Sequence, residues 1–578
     1  MYERNYKLLS NKFREFFLPT LFTSMTGNIS MFIDSLIVSN LLGAATLAAI
    51  QPIAPLTTFI NLIYWMIGLG GSVLCSVAKA EFDEEKSNSI FSIALTSLVS
   101  IGLLIAVICT VFSPQIIQIL TQSNNNPLVG QYYSVYVLGM PFLFYIMSLS
   151  YFVRVDGFSQ LPFRASLISN IVNLTMDVVL IQVFHMGLSG AALATIIGYI
   201  CGCTYLSTYF INSERTLKYI KVKAKKFITL LSKISKSGFS SSSTQLYLTI
   251  KIFVINCLII LVIGNAGLTA YNICYNSLFI VYMFLIGTAQ TMSPIVSVYF
   301  KEEDYSGVNY VIKKSLKIVL ASSLILSTIT IIYPEILLLL YHVNNPEYIP
   351  VVLNAVRIYA ISYVGTAITF LYTFYAQAIQ ENKLSSIISA LSGLIMPVSF
   401  AIIFTYLLGA NGIWISVSIA ELATILFIFT YSRYINKKTD DEYRGFFINK
   451  HSNVENVLEY TVKGSVDEIV GLSSKVEEYL KDYKSKTLVS LAIEEILANI
   501  FNINDNIEFI DVIVKIEKDH ILISVKDPGI EFNPVIEHKT LSFDNISLLN
   551  NIADKIDYSR VLGLNSTVIT INKNNTDL

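Results

Sequence analysis

The chain has 578 residues, with 40 Lys and Arg against 41 Asp and Glu, a formal charge of −1 and only 14% charged residues. Its mean hydropathy is +0.59. A soluble domain carries about 25% charged residues, so an ordinary globular protein is excluded. The balanced charge, with no basic face, argues against nucleic acid as a partner. The averages join two unlike parts: apolar runs from Met1 to about Tyr434, then a tail of soluble composition.

A bilayer core of about 30 Å takes about 20 residues of helix to cross. Runs of that kind predict spans near 15–39, 52–78, 90–117, 130–153, 163–184 and 189–212. After a basic connection they resume near 238–263, 270–299, 315–340, 350–379, 384–407 and 413–434. The reading is a membrane all-α protein of twelve transmembrane helices in two six-helix lobes. The expected divisions are 1–212, 213–435 (opening with the basic connection), a linker over 436–454 and a domain over 455–578. The first run is too long for a cleavable signal and lacks a small-residue cleavage site. All six cysteines lie in apolar runs, which suggests neither a disulfide framework nor a zinc site.

Alternate connections differ in charge. Asn40–Gln51, Thr121–Gly130, His185–Ser189, Gly264–Thr269, Tyr341–Pro350 and Gly409–Gly412 contain no Lys or Arg. The other side carries Lys79, Lys86, Arg154, Arg164, a run from Arg215 to Lys226, then Lys301, Lys313, Lys314, Lys383 and Arg433. The positive-inside rule then places both termini and the tail in the cytoplasm, with the spans in the cytoplasmic membrane. The fifth and sixth spans weakly echo the eleventh and twelfth, and parallel six-helix repeats are a transporter plan. No G-x-x-x-x-G-K-[ST] loop occurs, which excludes ATP-driven pumping of the ABC type.

Charged groups inside the spans call for a reason, since each costs roughly 2.5–3.5 kcal/mol at mid-membrane. Asp34 lies in the first span and Asp177 in the fifth, with Asn173 four residues earlier on the same helical face; the sixth adds Thr195. Such a group can exchange protons or, with amide and hydroxyl oxygens, coordinate Na⁺. Lys251 in the seventh span either repels cations, binds an anionic substrate group, or snorkels and pairs locally. Glu421 reads as structural.

The ordered segments IDSLIVSNLLGAATLAAIQPIAP, VRVDGFSQLPFRASLISNIVNLTMD, GTAQTMSPIVSVYF and ANGIWISVSIAEL, with Pro19 before them, resemble the MATE (multidrug and toxic compound extrusion) family over about residues 10–435. The resemblance implies a two-lobe antiporter that exports small organic substrates, cationic or amphipathic, in exchange for H⁺ or Na⁺. It implies an ion-coupling site of Asp34, Asn173, Asp177 and Thr195, and matches Pro19 to a proline that bends the first helix. Spans seven, eight and ten lack the acidic residues that another branch of the family uses for Na⁺.

The tail predicts an α+β sandwich: a strand at NVLEYTVKG, a helix capped by Ser465, a second helix, a hairpin, a helix near 545–556 and two final strands. Glu495 and Asn499 share a helical face, so the amide could complete a Mg²⁺ shell and the carboxylate orient a water or hydroxyl, as a catalytic group would. Asp527 follows a strand where it could accept the exocyclic amine of adenine, and Gly529 permits close approach. In this order they resemble the GHKL ATP-binding domain of anti-sigma-factor serine kinases, which implies Mg-ATP as a cofactor. Phe543, Asp544 and Asn545 stand where that family has a glycine-bearing phosphate lid. The expected whole is a membrane-embedded exporter of small molecules with a regulatory tail. The alternative is a membrane sensor whose tail is an ATP-dependent serine kinase or binds a regulatory protein partner.

Overall fold

The computed structural model describes residues 2–42, 53–121, 127–341, 343, 346–439, 443–450, 456–463, 466–504, 507–534, 549 and 551–573. Helix α1 is Lys7–Leu42. It is followed by α2 (Leu56–Ala80), α3 (Glu84–Val111), α4 (Val129–Val155), α5 (Gln160–Val183) and α6 (Gly187–Ile211). The second half holds α7 (Ala224–Val262), α8 (Asn265–Lys301) and α9 (Tyr305–Ile332). Next come α10 (Ile349–Ala360, continued after a 41° bend by Ser362–Ala378), α11 (Asn382–Leu408) and α12 (Ala410–Lys438). Among the described residues ten helices are long and apolar enough to cross a membrane, or eleven if the bent α10 is one span. Helix α1 stands in the place of the first expected span.

Proline 19 lies inside α1 without ending it. A proline leaves the carbonyl four residues earlier without its helical donor. That carbonyl belongs to Glu15, and Ser159 Oγ donates to it at 3.2 Å. Helix α1 packs along α5 in its own half and along α8 in the other, while α2 meets α7 and α8. Wider, π-helical turns interrupt α2 at Trp65–Leu69, α5 at Val179–Val183 and α11 at Leu391–Ile395. Each adjoins a polar cluster, a common place for such turns.

The tail is a six-stranded sheet of order β1-β4-β5-β6-β8-β7 with helices α13 (Val466–Tyr479) and α14 (Lys486–Ile503). Its strands are β4 (Val457–Val462), β5 (Ile510–Ile516), β6 (His520–Asp527), β7 (Lys555–Val561) and β8 (Leu564–Asn572). Leu472, Val476, Val489, Ile493 and Ile496 of the helices pack on Val512, Val514, Ile523, Val525 and Ile569 of the sheet. This is the expected α+β layering. The edge strand β1, Tyr2–Glu3, was not expected; it pairs in parallel with Glu459–Tyr460 of β4. The chain's N-terminus thus completes the tail's sheet.

The linker is also more structured than its polarity suggests. Short strands β2 (Tyr443–Arg444) and β3 (Asn449–Lys450) pair, and Phe447 stacks on Tyr372 of α10 with ring centroids 5.2 Å apart. Ser465 and the lid residues Phe543, Asp544 and Asn545 lie outside the described residues.

Candidate functional site

Between α1, α2, α4, α5, α6 and α8 lies a cavity of about 440 Å³. Asp34, Asn173 and Thr195, expected from sequence to act together, all line it. Asn173 Nδ2 donates to Thr195 Oγ1 at 3.3 Å, and that hydroxyl donates on to Ala191 O at 3.1 Å. Close helix approach makes this bond possible. A Cβ on Gly198 of α6 would lie 2.6 Å from Ser169 O and 3.1 Å from Asn173 Cβ, so only glycine lets the two helices touch there.

Asp177 is wholly buried behind the cavity wall. Its carboxyl lies against that of Asp34 across the α1–α5 contact. Neither Asp177 oxygen has a hydrogen-bond partner among the described residues, and like charges placed close together disfavour ionisation of both groups.

Sequence reasoning did not find the other cavity groups. Arg154, counted above among basic connection residues, lies at the end of α4; it is buried and lines the cavity. Its Nη1 donates to Gln290 Oε1 of α8 at 2.8 Å, which joins the two halves. Its Nε has no partner among the described residues. Tyr64, Trp65, Tyr132, Tyr136 and Tyr199 supply aromatic wall. Such faces accept apolar groups and organic cations alike.

A second buried polar cluster lies in the other half. Glu421 of α12 accepts from Thr369 at 2.7 Å, from Ser392 at 3.0 Å and from Thr366 at 3.2 Å, tying α12 to α10 and α11. Lys251 is buried and interacts electrostatically with Glu421.

In the tail, Asp527 Oδ1 accepts from Gly529 N at 2.8 Å and Asn565 Nδ2 at 2.9 Å. Burial pushes this carboxyl up to about 6, against the pull of Asn565, Gly529 and Arg560. A Cβ on Gly529 would lie 2.7 Å from Asn504 Oδ1 and 2.8 Å from Asp527 Oδ1, so a larger residue would have to shift these two side chains. Glu495 Oε2 and Asn499 Nδ2 are buried and lack partners among the described residues. Burial, with Glu494 beside it, raises the Glu495 carboxyl. Orphaned polar atoms on one helical face leave donor and acceptor positions for a polar ligand. The described residues hold no group of three or more His, Cys, Asp or Glu suited to a metal.

A bundle of this form with a polar cavity on one half is a membrane transporter architecture. The MatE family model matches residues 19–179 and 241–406, more than half of the chain, and the chain belongs to that family. The multidrug export protein MepA of Staphylococcus haemolyticus (strain JCSC1435) is 24% identical over 434 residues, 74% of this chain and 94% of its own. MepA of Staphylococcus aureus (strain MSSA476) is 24% identical over 426 residues, 72% and 92% respectively. Among solved structures, a MATE in the straight conformation superposes with TM-score 0.67 at 18% identity, covering 74% of this chain and 96% of that one. An outward-facing multidrug resistance MATE transporter gives 0.66 at 19%, with the same coverage.

Proposed function

We propose that this chain is a secondary antiporter that expels small organic molecules, cationic or amphipathic, in exchange for H⁺ or Na⁺. The observation that carries the reading is the convergence of Asp34, Asn173 and Thr195 on one cavity with Asp177 behind Asp34. The ion enters the Asp34–Asp177 pair and relieves its charge. Binding then shifts the balance between the two access states in proportion to its differential affinity for them. The aromatic wall receives the apolar body of the substrate, while Arg154 and Asn170 offer polar contacts. The family membership and the multidrug export names of the relatives support this reading. Both termini are assigned to the cytoplasm on the charge asymmetry of the connections.

The tail is proposed to be a regulatory domain with an adenine-nucleotide pocket. Asp527 and Gly529 would receive the base, and Asn499 and Glu495 would face the Mg²⁺-phosphate end. The support is the order of these residues and the unpartnered atoms of the α14 pair.

Purified protein in vesicles, presented with a panel of fluorescent organic cations and amphiphiles under separate H⁺ and Na⁺ gradients, tests the proposal. Gradient-dependent accumulation of at least one class is expected. Accumulation of none under either gradient contradicts it.

A further inference from the structure

The sheet of the tail has one face toward α13 and α14 and a second face that alternation makes polar: Glu459, Thr461, Asp511, Lys526 and Ser566. Such a face is ordinarily solvated. Here each of these five residues is at most 6% exposed, because the membrane half covers them. The partners are residues between α8 and α9 and at the start of α9. Lys526 forms an ion pair with Glu302, and Ser566 Oγ donates to Glu302 Oε1 at 2.9 Å. Lys515 Nζ donates to the carbonyls of Glu302 and Glu303 at 3.0 and 3.1 Å. Ser306 Oγ donates to Glu459 at 2.6 Å. Arg4 is buried at the centre, with Nε donating to Asp511 and Nη1 to Asp304, both at 2.9 Å.

The same domain grips the first half by a different element. In the β7–β8 turn, Leu562 N donates to Val155 O at 3.2 Å, and the Leu562 side chain enters the hydrophobic core of the membrane bundle. Gly157 and Gly563 meet backbone to backbone: a Cβ on Gly157 would lie 2.6 Å from Gly563 N. Lys79, paired with Asp156, also donates to Arg560 O at 3.5 Å. The two grips therefore fall at the ends of α4 and α8. Those are the helices joined in the cavity by Arg154 and Gln290. On the same side the halves meet directly, through Lys301 and Glu81 at 2.9 Å.

We infer that the tail is a clamp. Docked on both halves at once, it holds their ends together on its own side of the membrane. The halves cannot part there until the domain leaves at least one of them. An unoccupied solvent face would need no buried arginine; a face built to be covered does. The clamp rests on the transport reading only in its effect on rate, since the docking itself is independent of any substrate.

The test uses the full chain with spin labels at the exposed positions Glu84→Cys, at the start of α3, and Lys383→Cys, in α11. Cys201 and Cys257, the two cysteines that are not buried, are replaced by serine. The parent should give one narrow distance between the halves. Leu562→Asp, which touches the tail's own core least, should add a longer population of at least a third of the molecules and raise initial efflux about threefold or more. Lys526→Gln, acting at the other grip, should do the same, so a folding failure in one variant does not decide the matter. Distances and rates unchanged from the parent in both variants would overturn the clamp. Absence of efflux by the parent would overturn the transport reading alone, since the distances judge the clamp without it.

Discussion

Arg154 Nη1 donates to Gln290 Oε1 at 2.8 Å, and this one bond links α4 of the first half to α8 of the second inside the cavity. A hydrogen bond to a charged group contributes about 1.5–3 kcal/mol, so its loss shifts the balance between access states by roughly tenfold to a hundredfold. Arg154→Ala and Gln290→Ala should each change the efflux rate by that order. Because both remove the same contact, the double variant should resemble either single one. Additive effects in initial-rate measurements would contradict a shared role.

Gly198 sets the spacing on which the Asn173–Thr195 bond depends. Gly198→Ala places a methyl against Ser169 O and forces α5 and α6 apart. Overpacking of this kind costs about 1–3 kcal/mol. The variant should melt several degrees lower in detergent and lose most of its efflux. An unchanged melting profile would show that α6 moves without cost.

The Asp527 carboxyl sits at about 6 in the folded protein, above its ordinary value of 3.8. The fold therefore holds an extra proton between about pH 4 and about pH 6 relative to the unfolded chain. The stability this group contributes declines as pH rises through that window. The ionised form is the stronger acceptor for adenine's exocyclic amine. Binding of Mg-ATP to the full chain should thus strengthen as pH rises through about 6 and level off above it. Asp527→Asn should flatten the profile. Tight binding with a flat wild-type profile would move the base away from Asp527.

The residues proposed for coupling were legible because physical cost marks them: Asp34 and Asp177 interrupt apolar runs, and a helical repeat of four brings Asn173 to the same face as Asp177. Arg154 was not legible, since an arginine at the end of a span looks the same in sequence whether it enters a connection or turns into a cavity. The sheet order and its core followed from the alternation in β5, β6 and β8. That alternation also marks Glu459, Asp511 and Lys526 as one polar face, but period two cannot distinguish water from another part of the same chain. Tyr2–Glu3 left no trace, because a two-residue strand has no period and its partner is more than 450 residues away. Phe446 and Phe447 sit in an otherwise polar linker, and only the packing on Tyr372 shows what they do.

Coupling of ion to substrate is proposed to run through the carboxyl of Asp34. Its most direct test is efflux from vesicles reconstituted with Asp34→Asn, driven in turn by an H⁺ and a Na⁺ gradient and compared with the unaltered chain at equal protein content. The variant should insert normally, retain substrate binding, and lose gradient-driven efflux by at least tenfold. Efflux at the unaltered rate under the same gradient would contradict it.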